Sequence, residues 1–222
     1  EEGIDHDAAL AKTDLASMEV RLRVLASVLL VPALLPAGRA RDARVLDFGM
    51  GYGHWLRLAL SLALSLGLDA EGVEISRRKV EYAKSFGCKV FEGLDQARGP
   101  YHAVHANQVL KHVDDPRTVL RQLAARLAPG GILLLSVPDA GPEIEAMRQG
   151  RWTPGKGAVH PMDHINGFTF EGFLRLLASE GFSLASPVGV RELLSGSTRL
   201  TLAQDSLDHL PWVLTRDAGG RP

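Results

Sequence analysis

Three closely spaced glycines carry the strongest chemical signal in the sequence. Gly49, Gly51 and Gly53 lie in the segment VLDFGMGYG, where an apolar run predicts a strand and the residues after the turn predict a helix. Glycine lets the backbone turn tightly and approach a ligand closely, and the first turn of a helix offers unpaired N–H groups. The segment predicts a ligand site at a strand-to-helix turn, although a Gly-x-Gly pattern alone is weak evidence for any one ligand.

The residues around this turn favour a cationic ligand over a dinucleotide. The dinucleotide fingerprint has a third glycine three residues after the second, and His54 stands at that position. Asp47 brings a carboxylate beside the turn, which suits an amine, such as that of an adenosyl sulfonium amino acid, better than a pyrophosphate. Glu74 follows Gly51 at about the 20-residue spacing of a carboxylate that binds ribose hydroxyls. The alternative for Glu74 is a solvated acid at a strand end.

The elements that position these residues alternate between strands and helices. Short apolar runs predict strands at 45–48, 71–75, 89–91, 102–106 and 132–137. Leucines at every second position from 56 to 68 have the period of a strand, but the Leu and Ala content and the preceding glycine turn predict a helix. Ser76 and Gly87 bracket a further helix, and Asp115-Pro116 begins another that ends at 129–131. This alternation predicts a parallel sheet.

The two ends of the chain differ from this pattern. Apolar residues at 15, 18, 22, 25 and 29 predict an amphipathic helix that ends before Pro32 and belongs to a helical arm with its linker at 1–42. The arm either packs against the main domain or serves as a lid or a homodimer contact. After residue 138 we expect a helix at 140–150, a polar lid loop at 150–167, a helix at 168–180, two antiparallel strands at 182–190 and 197–203, and a tail at 206–222.

Together these elements predict one doubly wound α/β domain at 43–205. The 222 residues are 45% hydrophobic and 23% charged, which fits a single α/β domain with a substantial core. We expect a Rossmann-like, seven-stranded and mostly parallel sheet with an antiparallel C-terminal strand, preceded by the helical arm. Its ligand crevice is expected where the strand order reverses.

The composition excludes several functional classes. Lys and Arg number 25 against 26 Asp and Glu, so no broad basic field is present to bind a nucleic acid. The single Cys88 forms neither an internal disulfide nor a cysteine zinc site, which indicates a reducing, cytoplasmic compartment. The apolar stretch at 24–35 is interrupted by Pro32 and is shorter than the ~20 residues of a membrane span. It also begins too far from the first residue for a signal peptide.

Five segments together resemble the class I S-adenosylmethionine (SAM)-dependent methyltransferases. The group includes quinone-biosynthesis O-methyltransferases and many natural-product and sugar methyltransferases. The segments lie within 45–182 and read VLDFGMGYG, GVEIS, QVLKHVDDP, LAPGG before ILLLSVPDA, and HINGFTFEGFLRLLASEGF. The resemblance implies SAM as cofactor, S-adenosylhomocysteine (SAH) as product, and transfer of a methyl group to a small-molecule acceptor, most often at oxygen and without a metal.

The resemblance also implies roles for residues along the methionine part of the cofactor. Gly49, Met50 and Gly51 are expected to pass close to it. Asp47 is expected to support the amine, directly or through water. Asn107, just past the fourth strand, is expected near the methyl donor.

The same resemblance implies that residues just after the second and third strands bind the adenosine part of the cofactor. Glu74 is expected to bind both ribose hydroxyls. Ile75 and Leu94 are expected on the two faces of the adenine, with Asp95 near the adenine amine.

Histidines are the candidate catalytic residues. Methyl transfer from a sulfonium is an in-line displacement, so the enzyme positions the acceptor and removes its proton, for which histidine is suited near neutral pH. His112 and His164 match recurring positions of the family, with a structural, hydrogen-bonded histidine as the alternative. His160 and His164 could form a metal pair with Asp163. Because a proline stands between them in a predicted loop, we expect no metal.

Two departures from the family pattern leave other functions open. His102 stands where the family usually has an acid, and Lys111 stands where it usually has a glutamate. A relative that binds the cofactor but has lost catalysis would explain both. An NAD-type oxidoreductase would share the sheet and Glu74, but His54 argues against it.

Overall fold

A computed structural model describes residues 15–35, 42–155, 157–184 and 212–216. The strands of this part are β1 (Ala43–Phe48), β2 (Leu68–Val73), β3 (Lys89–Phe91), β4 (Tyr101–Asn107), β5 (Leu127–Ser136), β6 (Phe182–Leu184) and β7 (Trp212–Arg216). The helices are α1 (Leu15–Leu34), α2 (His54–Ser61), α3 (Ala63–Leu66), α4 (Arg77–Ser85), α5 (Pro116–Ala124), α6 (Gly141–Arg148) and α7 (Phe170–Ser179). A 3₁₀ turn spans Leu110–His112.

The strands form one sheet in the order β3-β2-β1-β4-β5-β7-β6. The first five strands in the chain pair in parallel, and β7 runs antiparallel between β5 and β6. The predicted α/β class with a parallel central sheet is confirmed. The order reverses between β1 and β4, which are neighbours in the sheet, so the carboxyl ends of these two strands border the crevice where such folds bind ligands.

Apolar side chains cover both faces of the sheet. One face packs against α1, α2 and α4 through residues such as Val28, Leu56 and Val80. The other packs against α5 and α7 through Leu120 and Phe173 among others. Strand residues alternate between the two layers, as neighbouring positions on a pleated strand must.

The predicted capping residues mark the start of α5 and both ends of α4. Asp115 accepts hydrogen bonds from the backbone N–H groups of Arg117 (3.0 Å) and Thr118 (3.2 Å), and Pro116 lies in the first turn of α5. Ser76 precedes α4 without a capping hydrogen bond from its side chain, and Gly87 has the left-handed φ of 77° that ends a helix without strain. The predicted positions of these helix ends are confirmed.

The first helix differs from its prediction in length and orientation. It runs through Pro32 to Leu34 instead of ending before the proline. Val28 and Val31 are fully buried against the domain, whereas Leu22 and Leu29, predicted to face inward, are 59% and 43% exposed. Because this segment is apolar on more than one side, the spacing of its leucines does not determine which face is buried. Packing against the main domain, one of the two expected roles, is confirmed.

Other boundaries also differ from the sequence prediction. The helix expected over the alternating leucines is interrupted at Leu62, and β2 already begins at Leu68. The Pro-Gly-Gly segment expected to end a helix lies inside β5, at an irregularity in its pairing with β4. The last strand, Trp212–Arg216, lies in the segment expected to be a tail. The strand expected at 197–203 and most of 182–190 lie outside the described residues.

A buried ionic group stabilises the sheet away from the crevice. The Glu71 carboxylate is 1% exposed and accepts hydrogen bonds from the Tyr101 hydroxyl (2.6 Å), Lys89 and Arg44. Burial alone would raise the pKa of Glu71, but these donors and cations lower it below its usual range. Burial and the adjacent carboxylate raise the pKa of Tyr101. None of the helices in the described part of the chain has the length and apolarity that a membrane crossing requires.

We expect Tyr101→Phe to lower the free energy of unfolding by about 1–3 kcal/mol, because it leaves a buried carboxylate oxygen without its hydroxyl donor. Urea unfolding of Tyr101→Phe, Glu71→Gln and the double variant gives the interaction energy of the pair. The effect of Tyr101→Phe should be smaller in the Glu71→Gln background. Strictly additive changes would show that the two side chains do not stabilise each other.

Candidate active site

The glycine turn lies at the carboxyl end of β1 and leads into α2. Gly49, Gly51 and Gly53 all have positive φ values, of 68°, 59° and 73°. A Cβ on Gly49 would lie 2.4 Å from a methyl group of Val109, so this position requires glycine on steric grounds as well. The Met50 side chain is 7% exposed and belongs to the hydrophobic core, so only its backbone lies at the turn.

Glu74 connects the glycine turn to the end of β2. Its carboxylate accepts hydrogen bonds from the backbone N–H groups of Gly51 and Ser76, each at 2.9 Å, and the residue is 7% exposed. A carboxylate offers about four lone-pair positions, so both oxygens keep capacity for a ligand hydroxyl. The sequence placed Glu74 beside the turn, and the structure brings the two into direct contact.

The residues expected around an adenine differ in exposure. Ile75 directly follows Glu74 and is 87% exposed, which leaves an apolar side chain free at the crevice edge. Leu94 is half-buried and packs against the hydrophobic cluster on the face of the sheet that α5 and α7 cover. Asp95 is exposed.

Asp47 is paired with His105, a residue that was not predicted from the sequence to belong to the site. It is 2% exposed, and its Oδ1 lies 2.8 Å from Nδ1 of His105, its neighbour in register on β4. Its Oδ2 has no hydrogen-bond partner among the described residues. The His105 ring stacks on Trp55, with centroids 4.5 Å apart and planes inclined by 11°. An inward-facing histidine on a predicted apolar strand is the signal that could have identified His105.

Polar side chains continue the crevice along the ends of β4 and β5. Ser136 donates a hydrogen bond to Oδ1 of the exposed Asn107 and accepts one from Gln108 Nε2 (3.2 Å). Gln108 has a left-handed φ of 61°, which directs the chain away from β4. Lys111 Nζ donates to Gln108 Oε1 (3.2 Å), and burial lowers the pKa of Lys111.

Lys111 and His102 are the two departures from the family pattern, and His102 lies far from the carboxyl ends of β4 and β5. Its Nδ1 accepts a hydrogen bond from the backbone N–H of Arg44 (3.0 Å) near the start of β4. Asn107 is five residues further along the strand, or about 16 Å at ~3.3 Å per residue. His102 therefore has a structural role and does not contact the crevice.

His112 and His164 lie together, with Asp163 between them. His112 Nδ1 is 2.9 Å from the Asp163 carbonyl oxygen, and His164 Nδ1 is 2.8 Å from the Ala158 carbonyl oxygen. Because a carbonyl only accepts, both Nδ1 atoms carry hydrogen, and Nε2 of each neutral ring has the lone pair. His164 Nε2 is 3.8 Å from an Asp163 carboxylate oxygen, which would stabilise the ring after it gains a proton.

The same three side chains are the group in the described residues that could hold a metal ion. Their ligand atoms lie within 4.8 Å of one another. The metal pair suggested by the sequence was His160 and His164, but the group contains His112 in place of His160, whose ring centroid is 5.6 Å from that of His164. The arrangement allows either proton transfer or metal binding.

Hydrogen bonds attach the loop that carries His164 to the rest of the site. The Glu143 carboxylate on α6 accepts from the N–H groups of Ala158 (2.7 Å) and Val159 (2.9 Å) and from Trp152. Burial opposes ionisation, but these hydrogen bonds hold the pKa of Glu143 below its usual range. At the other end of the loop, Asn166 Nδ2 donates to the carbonyls of Leu110 and Val113. Neither anchor was predicted from the sequence.

Comparison with known proteins gives a consistent family. A model of the methyltransferase domain matches residues 20–186. The ubiquinone biosynthesis O-methyltransferase of Bordetella avium is 30% identical over 48% of this chain and 47% of that protein. That of Xanthomonas axonopodis pv. citri is 30% identical over 64% and 63%. The chain therefore spans about half to three fifths of the length of these relatives.

Solved structures share the fold at low sequence identity. The plantazolicin methyltransferase BpumL in complex with SAH superimposes with a TM-score of 0.62 at 17% identity, covering 89% of this chain and 84% of that one. A SAM-dependent methyltransferase from Mesorhizobium loti gives a TM-score of 0.53 at 20% identity, covering 86% and 96%.

We expect Glu143→Gln to release the loop, because the amide is a weaker acceptor than the carboxylate. Hydrogen exchange at the Ala158 and Val159 amides should become about tenfold faster or more, as the loss of hydrogen bonds to a charged group implies. Because the pKa of Glu143 is lowered on folding, the anchor is complete above the unfolded pKa and is lost as the pH falls through the folded value. Glu145→Gln on the same helix is the matched control. Equal exchange in the two variants would contradict the assignment.

Proposed function

This chain belongs to the methyltransferase domain family, and from that membership we propose that it transfers a methyl group from SAM to a small-molecule acceptor. The observation that carries the proposal is the contact between the Glu74 carboxylate and the Gly51 N–H. It unites, at neighbouring strand ends, a turn that admits a ligand backbone and an acid with capacity for ribose hydroxyls.

The cofactor is proposed to lie across the ends of β2, β1 and β4. Glu74 binds the ribose, Ile75 and Leu94 enclose the adenine, and the methionine part follows the backbone from Gly49 to Gly51. Asp47 accepts from the amine, and Asn107 lies near the methyl group. The exposed apolar surface of Ile75 supports the adenine placement, because covering it with a flat ring would remove that surface from water.

We propose oxygen as the methylated atom. The two curated relatives are named O-methyltransferases, which supports this choice at the level of the family. A hydroxyl must lose its proton as the new bond forms. Removal of that proton is assigned to the group of His112, Asp163 and His164, in which Nε2 of each neutral histidine can accept it.

Methyl transfer needs no metal in this proposal. The carbon attached to a sulfonium is already activated, so positioning of the acceptor and removal of its proton are sufficient for reaction. The three side chains then act as a proton acceptor whose charge the Asp163 carboxylate balances.

We expect Glu74→Ala to weaken SAM and SAH binding by about 2–4 kcal/mol, since it removes two charge-assisted hydrogen bonds to the ribose. Isothermal titration of the purified chain with SAM, SAH, NAD and NADP measures the effect and the cofactor class together. Glu81→Ala, an exposed acid on α4, is the control and should bind as the wild type does. An unchanged dissociation constant in Glu74→Ala would refute the ribose placement.

We expect His164→Gln and His112→Gln each to lower kcat while leaving the SAH dissociation constant unchanged. General-base catalysis contributes about 10²–10⁴-fold, which sets the scale of the loss at the residue that accepts the proton. The assay is methyl transfer from SAM to a panel of phenols and catechols, repeated after dialysis against EDTA.

Two results would overturn these assignments separately. Activity that disappears with EDTA and returns with a divalent ion would make the histidine group a metal site. SAH binding without turnover on any acceptor of the panel would favour a relative that binds the cofactor without catalysis.

A further inference from the structure

We infer that His105 and Trp55 position Asp47 for the cofactor amine, so that α1, outside the site, takes part in cofactor binding. The inference rests on the proposed function, because it supposes that the amine of SAM or SAH meets Asp47. It concerns residues on β4 and α2 for which the family resemblance implies no role.

The hydrogen bond to His105 leaves one oxygen of Asp47 for a ligand. Oδ1 is 2.8 Å from His105 Nδ1, and both residues are more than nine-tenths buried. Since an ionised carboxylate only accepts, the shared hydrogen belongs to His105. Oδ2 is equally buried and has no partner among the described residues, which is costly for a carboxylate oxygen. A protonated amine near the glycine turn would supply the missing donor.

The orientation of His105 is set by Trp55. The two rings are nearly parallel at 4.5 Å, so the indole restricts rotation of the imidazole about its side-chain bonds. In turn, Trp55 Nε1 donates a hydrogen bond to Ser27 Oγ on α1 (2.9 Å), and Ser27 donates to the Val24 carbonyl (2.7 Å). A continuous series of contacts thus leads from α1 through Trp55 and His105 to Asp47.

This arrangement predicts an effect on one half of the cofactor only. SAH contains the amine, whereas 5′-methylthioadenosine contains the adenosine and thioether without the amino acid. Disturbing His105 should therefore weaken SAH binding and leave 5′-methylthioadenosine binding unchanged. A purely structural role would affect both ligands alike.

The test is isothermal titration of both ligands with the full chain and its variants. His105→Leu should weaken SAH binding by about 10–100-fold, which is the loss of affinity expected when a charge-assisted hydrogen bond is removed. His105→Asn keeps an N–H at the position of Nδ1 and should recover most of the affinity. Trp55→Phe keeps an aromatic ring but not the hydrogen bond to Ser27. Its loss of SAH affinity should lie between those of His105→Asn and His105→Leu.

His102→Asn is the matched control, because His102 is a half-buried histidine on the same strand as His105. This variant should bind both ligands as the wild type does. If His105→Leu does not fold, as judged by circular dichroism, His105→Asn and Trp55→Phe still measure the difference between the ligands. Equal losses for both ligands, or none for SAH in His105→Leu or Trp55→Phe, would overturn the inference. Failure of the wild type to bind either ligand would instead overturn the proposed function.

Discussion

The glycine turn after β1 is held from the neighbouring strand, and the geometry of the crevice depends on that contact. Three glycines with positive φ give the turn its shape but provide no side chains to fix it. The Glu74 carboxylate supplies the constraint by accepting from Gly51 on one side and Ser76 on the other. Because one group holds both the turn and the start of α4, the backbone of the glycine turn and the Glu74 carboxylate cannot move independently.

The two edges of the sheet use buried charge differently. Away from the crevice, each oxygen of Glu71 has donors from side chains, and the group serves stability. At the crevice, Asp47 keeps an oxygen without a partner among the described residues, and Glu74 uses only part of its capacity. A fold selected for stability alone would satisfy such groups, so incomplete satisfaction at the carboxyl edge is consistent with a ligand site.

The sequence predicts well what local chemistry determines. The glycine turn, the acid at the end of β2 and the helix starts at Ser76 and Asp115 depend on residues close together in the chain and lie where they were predicted. Of the two residues before the helices, Asp115 makes a side-chain capping hydrogen bond and Ser76 does not. The prediction of the buried face of α1 was wrong because apolar residues lie on more than one side of this helix. The prediction that the Pro-Gly-Gly segment ends a helix was also wrong, because pairing of β5 with β4 overrode the turn propensity of this segment.

Contacts across long stretches of chain were beyond sequence reasoning. Asp47 and His105 are 58 positions apart, and only the register of β1 on β4 makes them neighbours.

The loop histidine also depends on such contacts for its chemistry. The role proposed for His164 requires a lone pair at Nε2, which the hydrogen bond from its Nδ1 to the Ala158 carbonyl leaves available, and the Ala158 N–H is in turn held by Glu143. Asn166 fixes the following residues to the 3₁₀ turn that carries His112. The two histidines are therefore brought together by anchors at both ends of the loop. In the proposed mechanism, the Glu143 carboxylate therefore holds the loop and, through Ala158, the hydrogen bond that keeps the Nε2 lone pair of His164 available for the proton.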